Sequence, residues 1–424
     1  MSFLRFGICL LLAFGVLAFG AVEEWAQAVL EIGFCLLFLL WALRALQKKW
    51  DQMFISPLLL PMCAFALVVV AQLALHRTFS PYQTRVELQL VVAYTLALFL
   101  ISQAYQRTSH WRNFLWFLMS LGFFVSIFGI LQHLTFNGKL YWARTMRFGG
   151  YPFGPYVNRN HFAGFAELII PIALVPLVLG RVRRERLALV GLFAAVPIIA
   201  LLLSASRGGI VSFAVEIAVL IALLLLRRIR GQNLLVVGAL VLAVVMAASW
   251  IGVRQVVERF SGTRTADITS SKRASMRRDT WRIFLDHPVL GTGLGTLPMV
   301  FPPYDSLFDD KIVNHSHNDY LEILADSGIL GGICCAWFLM VLFTEGLKGL
   351  AAQGNSLGGT LNLCGLMGCS GFLIHSLVDF NLHIPANALP FFVTAHLATV
   401  RVQPSAPGES LPRRRKRKES SGAP

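Results

Sequence analysis

The chain has 424 residues, of which 56% are hydrophobic and 14% charged, with a formal net charge of +15. An ordinary soluble domain carries about 25% charged residues, so this composition excludes both a disordered chain and a single water-soluble domain. Six positive charges form one run, Arg413 to Lys418; in a membrane protein such charge marks topology rather than a nucleic-acid partner.

Hydropathy predicts an all-α polytopic membrane protein with about twelve transmembrane helices. The spans fall near 3–21, 26–45, 57–75, 88–105, 112–134, 162–180, 187–204, 210–226, 233–251, 323–347, 357–377 and 385–400. The first lacks a small-residue cleavage site before Glu23 and Glu24, and reads as an uncleaved span. The organisation is then a nine-span bundle over 1–251, a long loop over 252–322, three further spans over 323–400 and a basic tail over 401–424. With the N-terminus inside, the inner segments carry 21 Lys or Arg, and the short outer loops carry 7. That bias places both termini in the cytoplasm and the long loop outside. The loop is too rich in Trp, Gly, Pro and Arg for low complexity, so it is expected to fold partly into helices. The seven cysteines all lie in apolar segments without CxxC spacing, and read as small apolar fillers.

Polar groups gather on the outer side. In chain order, the first joins Arg147 and Tyr151 to Asn158, Arg159, Asn160 and His161. Amides, arginine and aromatics at one lip suit a sugar, and equally suit a helix cap. The turn Ser204-Ala205-Ser206-Arg207-Gly208-Gly209 places an arginine at a helix end. Its planar fork suits phosphate oxygens, and snorkelling is the plainer alternative. The basic stretch Arg254 to Arg282 holds Arg277, Arg278 and Trp281; Arg277 and Trp281 are one helical turn apart. Its positive excess suits an anionic substrate or lipid head group, or a solvated basic helix.

The segment Asn314-His315-Ser316-His317-Asn318-Asp319-Tyr320-Leu321-Glu322 opens a span. Zinc needs three or four ligands, and neither HExxH nor a nearby Cys is present, so no metal is expected here. A neutral imidazole serves better as a general base. The last group, His375 to Pro385, offers Asp379 beside His375 and His383, either to orient a base, to pair with an arginine or to pack. Within the spans, Glu167 and Glu216 are expected to pair with Arg or to line a wet cavity. Neither a Walker A loop nor a GxSxG elbow is present. No acidic relay crosses the bilayer depth, as a proton-coupled carrier would usually show.

The order of four short motifs carries a resemblance. Ser206-Arg207-Gly208-Gly209 follows a span, Arg277 to Trp281 gives RxxxW, Gly291-Thr292-Gly293-Leu294-Gly295 gives GxGxG, and His317-Asn318-Asp319-Tyr320-Leu321-Glu322 opens a span. Together they resemble the O-antigen ligase and O-antigen polymerase superfamily, closely over about 200–335. The resemblance implies a membrane-embedded glycosyltransferase of GT-C type that is inverting and metal-independent, and needs no cofactor. It works on the periplasmic face of the bacterial inner membrane, so the long loop would be periplasmic. The implied donor is an undecaprenyl-diphosphate-linked glycan and the acceptor lipid A-core, among membrane lipids.

By the same resemblance His317 would be the base, with His315 as its rival. Arg207 and Arg277 would bind the diphosphate, helped by Arg278. Asp379, His315, Arg147, Asn158, Arg159, His161 and Trp281 would support or bind substrate. The superfamily also includes polymerases and protein O-oligosaccharyltransferases; without a large C-terminal domain, the chain leans toward the lipid A-core ligase. A lipid-linked glycan transporter is the non-enzyme alternative.

Overall fold

The computed structural model describes residues 1–47, 53–145, 151–226, 263–306 and 312–402, together with Gly238; for 263–271 it describes the backbone. Arg147, the basic run of the tail and, apart from Gly238, the expected span 233–251 lie outside the described residues.

The chain is helical, with no strand among the described residues beyond two isolated bridges. The helices are α1 (Ser2–Leu17), α2 (Glu24–Gln47), α3 (Leu59–Ala74), α4 (Pro81–Ala104), α5 (Thr108–Leu134) and α6 (Arg159–Val178). Then come α7 (Leu187–Leu203), α8 (Arg207–Leu226), α9 (Thr263–Asp286), α10 (Asp319–Gln353), α11 (Leu357–His375) and α12 (Pro385–Thr399). Their starts follow capping chemistry. Ser80 accepts from Gln83 N, with Pro81 in the first turn; Asn158, Asn318 and Ser356 cap α6, α10 and α11 in the same way.

Among the described residues, eight helices are long and apolar enough to cross a membrane. The chain is an all-α polytopic membrane protein. The expected spans on α1, α3 and α12 are shorter than hydropathy suggested, with 16, 16 and 15 residues. A 16-residue helix rises about 24 Å, less than the ~30 Å of hydrocarbon it would have to cross. The reason for α12 is visible in its packing: it carries Pro390 and is buried almost throughout, inside the bundle.

Burial along the apolar windows shows where the core sits. It reaches 89% for α6 and 83% for α11, against 17% for α2. The centre is therefore α6, α11 and α12, with α8 and α10 packed on α11, and α7 on α6. In lipid the apolar effect cannot drive such packing, and small residues at helix contacts serve instead. The centre of α11, Leu363-Cys364-Gly365-Leu366-Met367-Gly368-Cys369, has that composition and is buried. On the other flank α4 packs against α2, α3 and α12.

Helix α10 bends at Gly328, whose φ of 64° and ψ of −167° suit glycine alone. Ile329 N donates to Pro288 O at 2.8 Å there, so the break lets the loop before residue 291 press into the helix.

Candidate functional site

Six helix ends meet at one face of the bundle: the starts of α6, α8, α10 and α12, and the ends of α7 and α11. Hydrogen bonds and close contacts tie them together. Asp319 N donates to Ser376 O at 3.0 Å, and Asn318 Nδ2 to Leu377 O at 3.0 Å. Asn387 Nδ2 donates to His161 O at 2.8 Å. A Cβ on Gly208 would meet His375 at 2.6 Å, so the Ser-Arg-Gly-Gly turn fits against the end of α11 only because that position is glycine.

Asp379 sits in the middle of this face and is buried. His317 Nδ1 lies 3.3 Å from its Oδ1, and Phe380 N donates to the same oxygen at 3.0 Å. Asn160 Nδ2 donates to Oδ2 at 2.5 Å, and His161 Nε2 lies 4.0 Å from Oδ1. Burial alone would raise the Asp379 pKa. The hydrogen bond from His317 and the charges of His161, His317 and His375 outweigh it and hold the carboxyl well below its ordinary range. Asp379 is therefore an anion that fixes the His317 ring. With Nδ1 turned to Asp379, Nε2 is the nitrogen left to take a proton, and the side chain keeps 23% exposure. The His317 backbone is left-handed, at φ 54°, an uncommon state for a non-glycine residue.

His315 is built differently. Its Nδ1 lies 2.7 Å from Glu322 Oε1, and its ring stacks on Phe380 at 4.2 Å. Glu322 Oε2 accepts from Ser316 N at 2.8 Å and Ser316 Oγ at 3.0 Å. His383 Nδ1 lies 2.9 Å from Asp319 Oδ1, and its Nε2 lies 3.4 Å from Glu322 Oε1. Burial would lower the His383 pKa, but Glu322 and Asp319 together raise it to about 10. His315 is thus committed to a carboxylate of its own helix start, while His317 faces Asp379. The arrangement separates two histidines that the sequence leaves as rivals.

The arginines approach the same face. Arg207 is exposed at the start of α8. On α9, Arg273 Nη1 donates to Val378 O at 3.4 Å, which brings this helix to the turn that carries Asp379. Arg277 is one helical turn further along, partly buried. Arg278 is turned aside: its Nη2 donates to Ser306 Oγ at 3.2 Å, and its Nε lies 3.9 Å from the buried Asp279. Trp281 is exposed and packs on Phe284.

Asn158 caps α6 through Asn160 N at 2.9 Å, and Arg159 lies over the Tyr151 ring at 4.9 Å. His161, by contrast, is buried beside Asp379 and meets Phe380 edge-on at 4.8 Å. Glu167 finds a histidine and not an arginine: His375 Nδ1 lies 2.9 Å from its Oε1. Glu216 is fully buried, and neither carboxylate oxygen has a hydrogen-bond partner among the described residues. The three glycines of the GxGxG segment have φ of 68°, 110° and 77° and lie against Asp326, Thr78 and Glu87, so this loop is packing and not a phosphate cradle.

Sequence reasoning singled out neither Arg273 nor Phe380, and named Asn160 only as one member of the lip group. Arg273 is one of eight basic residues between Arg254 and Arg282, with nothing in the sequence to single it out. The Asn160 contact crosses 219 residues of chain and leaves no local signal.

Residues 190–336 match the family model described as O-antigen ligase. No curated protein matches the chain. The matched segment contains Arg207, Arg277, His315 and His317, while Asp379 and His383 come to them from beyond it. Over this segment, about a third of the chain, the protein is similar to the O-antigen ligase family, which supports a function of the ligase or polymerase type.

Proposed function

We propose that this protein is an O-antigen ligase, moving a glycan from undecaprenyl diphosphate to a lipid A-core sugar at the periplasmic face of the inner membrane. The observation that carries the reading is the His317–Asp379 pair at 3.3 Å, within a face supplied with arginines. The acceptor hydroxyl gives its proton to His317 Nε2 as its oxygen attacks the anomeric carbon. The bond from that carbon to the phosphate oxygen breaks on the opposite side, and undecaprenyl diphosphate leaves with the electron pair. The configuration inverts.

Negative charge grows on the diphosphate as it leaves, and Arg207 and Arg277 stabilise it. Arg278, tied to Ser306 and Asp279, acts at most by supporting α9. No metal enters this step. Asp379 holds the His317 ring and stabilises the imidazolium that forms. His161 and Asn160 hold Asp379 in turn, and Asn158 and Arg159 shape the lip beside them.

The test is transfer by the purified chain, given a lipid-diphosphate glycan and lipid A-core without nucleotide. The expected result is glycan on the acceptor and free undecaprenyl diphosphate. Longer glycans still on the carrier would instead make the protein a polymerase. Intact donor moved to the opposite leaflet would make it a transporter.

A further inference from the structure

Beside the His317–Asp379 pair lies a second cluster that the reaction does not use. His315, Glu322 and His383 each offer one ligand atom, and these atoms lie within 4.8 Å of one another. Three segments supply them: the approach to α10, its first turn seven residues further on, and the distant turn before α12. We propose that they form a binding site for one divalent transition-metal ion of the zinc class, which locks these three segments together.

The donor set fits. Two imidazoles and one carboxylate, with a fourth position open to water, suit zinc better than magnesium or calcium, which prefer all-oxygen shells. Two ligand separations are already short, at 2.7 Å from Glu322 Oε1 to His315 Nδ1 and 3.4 Å to His383 Nε2. Ligand atoms around a tetrahedral zinc lie about 3.3 Å apart. His315 is the most exposed of the three and has the most room to adjust.

The surroundings fit as well. Metal-bound histidines hand their other ring nitrogen to a carboxylate, which fixes the tautomer. His383 Nδ1 meets Asp319 Oδ1 in this way at 2.9 Å, and Nε2 is left facing Glu322. Ser316 holds the second oxygen of Glu322 through two hydrogen bonds.

Further acidic side chains lie beside the cluster. Glu87 and Asp326 both lie close enough to Glu322 and His383 for their charges to interact. Asp326 is fully buried one turn beyond Glu322, and its Oδ1 has no hydrogen-bond partner among the described residues. Glu87, Asp319, Glu322 and Asp326 thus surround two imidazoles. On binding, His383 Nε2 exchanges a proton for the ion, while Nδ1–H stays on Asp319.

The experiment uses the full chain in detergent, stripped with a chelator, desalted, and titrated with zinc chloride alone. One zinc per chain is expected by elemental analysis, with a higher melting temperature than the stripped protein. Cobalt(II) should give the visible bands of a four-coordinate site. His315→Ala should abolish both the bands and the stoichiometric zinc, and Asp319→Asn should weaken binding by about 10–100-fold. His315 is partly exposed, so its variant is the one suited to remain folded; an unchanged elution profile verifies this. The wild-type protein tests the proposal even if every variant misfolds. Failure of the wild type to hold zinc overturns the proposal, as does zinc held equally by His315→Ala, Glu322→Gln and His383→Ala. Displacement of the zinc by an equal concentration of magnesium also overturns it.

Discussion

His317 keeps a left-handed backbone because its neighbours fix it on both sides. Its ring meets Asp379, while Ser316 on one side and Asn318 on the other are bonded to Glu322, Leu377 and the first turn of α10. Strain of this kind persists where surrounding contacts over-determine it, and such sites are often functional. His317→Ala should therefore fold, bind donor and lose transfer by about 10²–10⁴-fold, the usual worth of a positioned base. A variant that binds donor and transfers at the wild-type rate would remove His317 from the mechanism.

Asp379→Asn keeps the size of the side chain but removes the anion. Turnover should fall by at least about 10²-fold, with donor affinity nearly unchanged, and Asp379→Glu should restore part of it. The same residue gives a pH effect. Its folded pKa is depressed, so its stabilisation is complete above the ordinary Asp pKa of about 3.9 and is lost as pH falls below that. The difference in melting temperature between wild type and Asp379→Asn should be constant from neutral pH to about pH 5 and shrink below about pH 4. A difference that grows on acidification would contradict the assignment. At this scale the sequence offered the residue types of the proposed site, yet not their pairing. His315 and His317 look alike in one short segment, and their separate carboxylates lie 7 and 62 residues away.

Among the elements, α10 shows what hydropathy reads and what it misses. An apolar span was legible over 323–347, but the helix runs from Asp319 to Gln353 and bends at Gly328. Nothing in hydropathy marks that bend, because its cause is the loop packed into it. A Cβ on Gly328 would also meet the Val289 carbonyl. Gly328→Ala should therefore cost about 1–3 kcal/mol from backbone strain, and more from the clash. The readout is a lower melting temperature with reduced turnover; an unchanged melting temperature would mean that the bend is not required. The GxGxG loop teaches the same lesson. Its glycines entered only as a motif of the resemblance, whereas their φ values and neighbours explain them as packing. The short helices α1, α3 and α12 were legible as apolar, but their lengths depend on where chain turns begin.

For the whole molecule, composition alone established a helical membrane protein, since no other architecture buries so many apolar runs. Which helices form the centre was not legible, because apolar residues serve equally against lipid and against protein. The charge bias of the loops is a further property of the whole. Removing the tail after Val402 should change yield or orientation and leave turnover per inserted chain intact. Protease accessibility and specific activity of the truncated protein check this, and loss of turnover in correctly oriented chains would contradict it.

The pairing of Glu167 with His375 bears on the order of synthesis. Helix α6 enters the membrane early, and N-terminal parts of a chain settle first. Its carboxylate has no imidazole beside it until α11, among the last helices made, is complete. An isolated ionisable group inside a bilayer is costly. That cost falls on the unfinished chain and disappears in the finished one, so a chain released before α11 is penalised at the centre of its own fold.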